Sequence, residues 1–97
     1  MKTREEVLKM LKSELPCLKE KYGIEKIGIF GSYSREEQDI KSDIDLLVQL
    51  ERPIGLFKFI AVEEHLKERL GIKVEMVTED AIKPLIKLDV MKEVVYV

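Results

Sequence analysis

Glycine, serine and aspartate residues stand at a fixed spacing in the middle of the sequence. Gly31 and Ser32 follow the apolar run that ends at Phe30, and ten residues separate Ser32 from Asp43. Asp43 and Asp45 lie one residue apart at the start of a second apolar run. Because a carboxylate is costly to bury unless a partner compensates it, the sequence predicts a neutralising group beside these aspartates.

The two aspartates and a later glutamate could form a metal site. Side chains alternate between the faces of a strand, so Asp43 and Asp45 should project from the same face. Glu75, within the next strand-like run, would lie beside them if the two strands are neighbours. Three such carboxylates repel one another unless a cation neutralises them, and oxygen ligands of this kind suit Mg²⁺ or Mn²⁺. An Asp-x-Asp pair alone is a weak signal, since most such pairs are solvated strand ends or turns.

Gly31-Ser32 supplies the second half of the same predicted site. A strand that runs into a short helix leaves backbone N–H groups free, and a glycine lets a phosphate approach them closely. A Gly-Ser pair is also a common turn and helix cap, so it is weak evidence by itself. At this spacing the two motifs together predict a phosphate cradle beside a divalent metal, which is what a nucleoside triphosphate needs.

The elements that position these residues can be predicted from the apolar periodicity and the turn residues. We predict a helix over residues 3–22 that Gly23 closes and that Pro16 kinks or splits. The remaining predicted elements are strands over 24–30, 43–50 and 72–77, a short helix over 32–38, a helix over 56–70, a helical segment from Thr78 interrupted at Pro84, and an edge strand over 94–97. This order gives an α/β fold, one small sheet with helices packed on it, as a single domain over residues 1–97.

The composition is typical of a soluble globular domain. Of the 97 residues, 45% are hydrophobic and 37% are charged, and the net charge is −2. So balanced a charge predicts no membrane contact and no strong nucleic-acid binding. Met1 leads into charged residues and no apolar run is long enough to span a membrane, so we expect a cytoplasmic protein. Cys17 is the only cysteine, which leaves no internal disulfide or cysteine-based zinc site, and we expect it to be a packing residue.

The two motifs together resemble the signature of a known family. Gly31-Ser32, ten intervening residues and the segment DID at 43–45 are similar to the GS-x10-D-x-D signature of the DNA polymerase beta-like nucleotidyltransferase superfamily. More closely, FGSYSREE followed by SDIDLLV resembles the minimal nucleotidyltransferases, which are domains of about this length. The likeness extends over nearly the whole chain, from the first helix to the closing EVVYV.

The resemblance implies a mixed sheet flanked by helices, with two Mg²⁺ ions that bind the triphosphate of ATP. The residues that fall on the family's site are the metal ligands Asp43, Asp45 and Glu75, and the phosphate-binding residues Gly31, Ser32 and Arg35. Of the metal ligands, Glu75 is the best candidate for proton acceptor. Arg35 or Lys41 could add positive charge to the transition state, although each also has the character of a solvated surface residue.

The resemblance further implies a function and a partner. Many minimal nucleotidyltransferases are antitoxins that pair with a HEPN-domain ribonuclease toxin and transfer AMP from ATP to its tyrosine. Two residues depart from the family pattern: Glu36 stands where a glycine often follows the arginine, and Glu75 stands where the family usually has aspartate. These departures favour one alternative, a weak or inactive domain that neutralises or scaffolds its partner by contact. A second alternative is a small-molecule nucleotidyltransferase completed by a homodimer.

Overall fold

The computed structural model describes residues 2–97, which form a four-stranded sheet and three α-helices. The elements in chain order are α1 (Arg4–Tyr22), β1 (Ile24–Phe30), a 3₁₀ turn (Gly31–Tyr33), β2 (Ile44–Leu50), α2 (Gly55–Leu70), β3 (Val74–Thr78), a second 3₁₀ turn (Glu79–Ala81), α3 (Pro84–Glu93) and β4 (Val95–Tyr96). The sheet order is β3-β2-β1-β4, with β2 and β3 parallel and the other pairs antiparallel. The expected mixed sheet flanked by helices is confirmed.

The first helix begins and ends where the sequence predicts. Thr3 and Glu6 form a capping box, in which the Thr3 hydroxyl accepts from the Glu6 N–H and the Glu6 carboxylate accepts from the Thr3 N–H. Gly23 ends the helix in the left-handed conformation. Pro16 does not split α1, which is continuous through it. Since Pro16 is exposed while Val7, Leu11 and Leu18 are buried, packing of the opposite face holds the helix together across the lost hydrogen bond.

One face of the sheet carries the core. Ile44, Leu46 and Val48 of β2 are fully buried. They pack in one cluster with apolar residues of α1, α2 and the two neighbouring strands, among them Val7, Leu11, Ile27, Ile29, Val62, Leu66 and Met76. Because side chains alternate along a strand, Asp45, between Ile44 and Leu46, projects from the opposite face. The packing of β2 therefore decides which face of the sheet carries the candidate site.

The last strand, β4, packs against β1 at a position without a side chain, Gly28. β4 pairs with Gly28 and Ile29 of β1, and the Val97 N–H donates to the Ile27 carbonyl at 3.0 Å. A Cβ at Gly28 would lie 2.8 Å from Val94 Cγ2 and 2.9 Å from Tyr96 Cδ1, closer than real Cβ atoms come to a neighbour. The absence of a side chain at Gly28 is therefore what lets β4 and the residue before it lie against β1.

Several predicted boundaries are wrong. β2 begins at Ile44 and β3 at Val74, and the helix predicted over 32–38 is reduced to the 3₁₀ turn Gly31–Tyr33. Pro84 begins α3 instead of interrupting it, because the first turn of a helix needs no N–H from that residue. Cys17 is exposed and is not a packing residue. Within residues 2–97, none of the helices combines the length and the apolar character needed to cross a membrane.

Candidate active site

The turn after β1 lies in contact with β2. Phe30 pairs with Asp45 across the two strands, and the chain turns at Gly31, where φ is +75°. A side chain is strained at that angle, and a Cβ at Gly31 would also collide with the Asp45 carboxylate. Only glycine therefore suits this position. The predicted phosphate turn and Asp45, one carboxylate of the predicted metal site, are packed directly against each other.

Two polar groups of the turn, both on Ser32, are free to bind a ligand. The Gly31 carbonyl accepts from the N–H groups of Ser34 and Arg35, at 3.1 and 3.2 Å. By contrast, the N–H and the hydroxyl of Ser32 have no hydrogen-bond partner within residues 2–97, whereas Tyr33 is buried. Ser32 is partly exposed. This turn thus presents a small group of donors beside Asp45, which is the arrangement that an anionic ligand needs.

The three predicted carboxylates lie at one edge of the sheet. Asp45 pairs in register with Glu75 across the parallel strands, and Asp43 immediately precedes β2. Burial, the neighbouring Glu75 and the neighbouring Asp43, in that order, raise the pKa of Asp45 to about 6. Two cations offset part of this charge: Arg35 acts to lower the pKa of Asp45, and Lys73 Nζ is 3.9 Å from Asp43 Oδ2, where both side chains are substantially exposed. The negative charge at this edge is therefore only partly compensated in the protein alone.

The donor set suits a hard divalent cation, although the side chains are not arranged as a ready site. Among residues 2–97, no three His, Cys, Asp or Glu side chains converge closely enough to hold a metal ion as they stand. Like charges repel, and Glu75 is exposed and can rotate away from Asp45. Carboxylate oxygens without nitrogen or sulfur ligands are the set that Mg²⁺ prefers. Shared ligation of a metal by Asp43, Asp45 and Glu75 stays a prediction.

Arg35 is brought to the turn by a residue that sequence reasoning missed. Arg35 Nη1 donates to Glu93 Oε2 at 2.7 Å, and the Gly31 N–H donates to Glu93 Oε1 at 3.0 Å. Glu93 is the last residue of α3, and it also contributes to the raised pKa of Asp45, more weakly than the causes given above. The signal was available: Glu93 directly precedes the predicted edge strand. It became informative only once that strand was known to pair with β1.

A second groove lies away from the predicted site. It has a volume of about 540 Å³, lies at the other end of the strands, and is lined by residues that include Glu25, Gln49, Arg52 and Glu79. It contains none of the predicted site residues. Its lining carries four carboxylates against one cation, Arg52, a charge balance that disfavours a phosphate. The carboxylate edge and the Gly31 turn therefore remain the better candidate for chemistry.

Comparison with known proteins identifies the family. Residues 11–97, most of the chain, match the family model described as the nucleotidyltransferase domain. This chain belongs to the nucleotidyltransferase domain family. The nucleotidyltransferase is 42% identical over 97 residues to the protein adenylyltransferase MntA of Thermococcus cleftensis, with 100% of this chain and 98% of that protein covered. It is 43% identical over 98 residues to the "Putative protein adenylyltransferase MJ1217" of Methanocaldococcus jannaschii, with both chains fully covered.

Solved structures agree with this identification. A structure described as that of a "putative minimal nucleotidyltransferase" superposes with a TM-score of 0.80 and 28% identity, over 97% of this chain and 95% of the other. A toxin-antitoxin chain crystallised with AMP-PNP gives a TM-score of 0.70 at 22% identity, over 96% of this chain and 70% of the other, which shows the fold alone. The predictions of a minimal nucleotidyltransferase and of an enzyme of this class are confirmed.

Proposed function

We propose that this nucleotidyltransferase transfers AMP from ATP to a hydroxyl of a partner protein, with a tyrosine of a HEPN-domain toxin as the acceptor. Support comes from relatives named protein adenylyltransferases that match over the full chain. Structures with the same fold include a toxin-antitoxin with AMP-PNP and a tri-AMPylated HEPN toxin in complex with an MNT antitoxin. Such a reaction draws on ATP in the cytoplasm, where we expect the protein to act.

The observation that carries the proposal is the contact between the Gly31 turn and Asp45. A transfer from ATP needs a phosphate-binding turn within reach of the groups that manage the charge of the triphosphate. Here the Asp45 carboxylate occupies the space that a side chain at position 31 would need, because Gly31 has none. The free donors of Ser32 would bind the β- and γ-phosphates. Asp43, Asp45 and Glu75 would hold Mg²⁺, which would neutralise the triphosphate and activate the acceptor oxygen.

The proposed step is an in-line displacement at the α-phosphorus. The acceptor oxygen forms the new O–P bond, the bond from the α-phosphorus to the bridging oxygen breaks, and pyrophosphate leaves. Glu75 accepts the proton of the hydroxyl. Its exposure suits this role, since an acceptor that belongs to another protein must reach the base from solvent, whereas Asp45 is only half-exposed.

Transfer of label from ATP to the co-expressed partner tests the function. We expect wild type to label the partner from α-³²P-ATP in the presence of Mg²⁺. The double variant Asp43→Asn/Asp45→Asn should label it about a thousandfold more slowly. Asp80→Asn, an exposed aspartate at the far end of the sheet, is the matched control and should label at the wild-type rate.

Three results would refute this function in different ways. Equal labelling by wild type and the double Asn variant, or labelling by neither, would remove the enzymatic claim. If the double variant still protects cells from the partner, the protein acts by contact alone. Consumption of ATP with a small acceptor and without any protein would instead indicate the homodimeric small-molecule enzyme.

A further inference from the structure

Glu93 ties the end of α3 to the Gly31 turn through three hydrogen bonds. Its two carboxylate oxygens accept from different donors, the Gly31 N–H at 3.0 Å and Arg35 Nη1 at 2.7 Å. Its backbone carbonyl accepts from the Ser34 hydroxyl at 2.9 Å. The Glu93 side chain is 24% exposed, so its charge-assisted bond to the Gly31 N–H is partly shielded from water, whereas its ion pair extends to the 44% exposed side chain of Arg35.

The same contact fixes the orientation of Arg35. A guanidinium presents five N–H donors in a rigid plane. Nη1 is held by Glu93, Nε lies 3.3 Å from Glu37 Oε2, and Nη2 makes no ion pair or hydrogen bond within residues 2–97. The bond to Glu93 is also the main cause of the raised pKa of Arg35. Arg35 is thus held chiefly through Nη1, and its Nη2 group is free to bind a ligand.

The donors of the turn are divided between Glu93 and a ligand. Glu93 takes the Gly31 N–H and leaves the N–H and the hydroxyl of Ser32 free. A phosphate can therefore bind the turn without displacing the Glu93 side chain, and displacement would break its two hydrogen bonds, to the Gly31 N–H and to Arg35 Nη1. Because Glu93 and a phosphate would use different donors of the turn, Glu93 can stabilise the turn without competing with the phosphate.

We propose that Glu93 is a positioning residue for the nucleotide: it braces the Gly31 turn and aims Arg35 so that the Nη2 edge and the Ser32 donors bind the same triphosphate. This inference rests on the proposed function, because it takes ATP as the ligand of the turn. It assigns no chemical step to Glu93. Its effect passes through Arg35 and the turn, and it links the end of α3 to nucleotide affinity.

Nucleotide binding by the chain alone tests this role. The probe is a non-hydrolysable ATP analogue with Mg²⁺, measured by calorimetry. Glu93→Gln keeps one acceptor oxygen for the Gly31 N–H but turns an amide donor toward Arg35, so we expect the Kd to rise about tenfold, the usual size of one lost charge-assisted bond. Glu37→Gln is the matched control. It removes the other partner of Arg35, a longer contact at a 65% exposed side chain, and should leave the Kd within about twofold.

A double-variant cycle separates positioning from a merely structural role. If Glu93 acts through Arg35, then Glu93→Gln in an Arg35→Gln background should change the Kd by less than about twofold. A structural role would instead lower the melting temperature and the bound stoichiometry of Glu93→Gln and leave the Kd of the folded fraction unchanged. Should Glu93→Gln fail to fold, Glu93→Asp keeps the charge but is too short to reach both donors, and the same rise in Kd is expected.

The proposal is overturned if Glu93→Gln binds the analogue as tightly as wild type or more tightly, or if its effect adds in full to that of Arg35→Gln. Tighter binding would mean that Glu93 competes with phosphate. A wild-type chain that binds no analogue would overturn this proposal and the proposed function together. A chain that binds the analogue with the expected pattern but labels no partner would overturn only the transfer reaction.

Discussion

The two faces of the sheet differ in the side chains that they carry near the start of β2. On one face the apolar residues of the strands pack beneath α1 and α2, and Ile44, Leu46 and Val48 are fully buried. On the other face Asp43, Asp45 and Glu75 gather at one edge with little positive charge to balance them. Within β2 the side chains alternate, so that Ile44, Leu46 and Val48 face the core while Asp45 and the buried Leu47 face the other way. One residue of register therefore separates the side chains that stabilise the fold from those of the candidate site. A one-residue slip of β2 would turn its core residues out of the core and Asp45 into it.

The largest effect is expected from breaking the packed face. Leu46→Ala removes a fully buried side chain from the middle of the core and leaves a cavity, so we expect a loss of about 2–5 kcal/mol in the free energy of unfolding. Urea denaturation followed by circular dichroism measures it. Leu88→Ala, at a 73% exposed position of α3, is the control and should change stability by less than about 0.5 kcal/mol. Similar losses for both variants would contradict the division between the faces.

Gly31→Ala should disrupt the contact between the Gly31 turn and the Asp45 carboxylate. The added Cβ collides with the Asp45 carboxylate and the φ of +75° becomes strained, so the turn or the aspartate must shift. A displacement of this kind typically costs about a hundredfold in rate, and we expect that loss in AMP transfer. Gly71→Ala also has a positive φ but has no neighbour within 4 Å of the new Cβ, so it shares the strain without the collision. Equal transfer rates in the two variants would show that the collision is irrelevant.

The carboxylate face should gain stability when a ligand neutralises it. If Mg²⁺ and the ATP analogue bind only the folded protein, a free concentration ten times the Kd adds about 1.4 kcal/mol to the free energy of unfolding. Thermal melts with and without the ligand would show a higher melting temperature for wild type and a much smaller rise for Asp43→Asn/Asp45→Asn. The same rise in both proteins would place the binding site elsewhere.

The smallest effect concerns Glu14, a carboxylate that, unlike Asp45, has hydrogen-bond partners for both of its oxygens. Glu14 of α1 lies 2.8 Å from His65 Nε2 and 2.6 Å from Arg69 Nε of α2. The hydrogen bond to His65, followed by that to Arg69, lowers the pKa of Glu14. A lowered acid pKa stabilises the fold above the unfolded value near 4.5, and this contribution is lost as pH falls through the folded value.

Glu14→Gln should therefore cost about 1 kcal/mol at pH 7 and progressively less as the pH falls below about 4.5. Denaturation curves of the two proteins at several pH values measure the difference. Glu20→Gln, on an exposed position of the same helix, is the matched control. A difference between Glu14→Gln and wild type that is constant from pH 7 to pH 3 would rule out the ion pair as its source.

The parts of the fold that depend on local signals could be predicted from the sequence. The capping box at Thr3, the αL end at Gly23 and the run of β-branched residues in β1 each act over a few residues, and the structure places α1 and β1 within one residue of the prediction. The Gly31 turn and the two aspartates were found for the same reason, since one short segment carries them. Pro84 was misread because a proline that ends one element and a proline that begins another look alike until the helix is known.

The parts that depend on long-range pairing could not be predicted. Glu75 lies in register with Asp45 because β2 and β3 pair in parallel. From the sequence alone, this position of Glu75 depended on the assumption that the two strands are neighbours. Glu93 reaches Gly31 across 62 residues, and no local pattern marks such a contact. The structure supplies the missing register. It brings the predicted residues to one edge and adds Glu93, whose position before the predicted edge strand became informative only once that strand was known to pair with β1.

Gly28 has a consequence for how far the first strand can vary. Any larger residue there would push Val94 and Tyr96 away from the strand, and Val94 is covalently attached to Glu93. The disturbance would thus be felt at the nucleotide end of the molecule, although position 28 contacts no predicted ligand. A variant library at this strand should therefore show intolerance at two glycines three residues apart, for unrelated reasons: one admits a carboxylate, the other admits the tail of the chain.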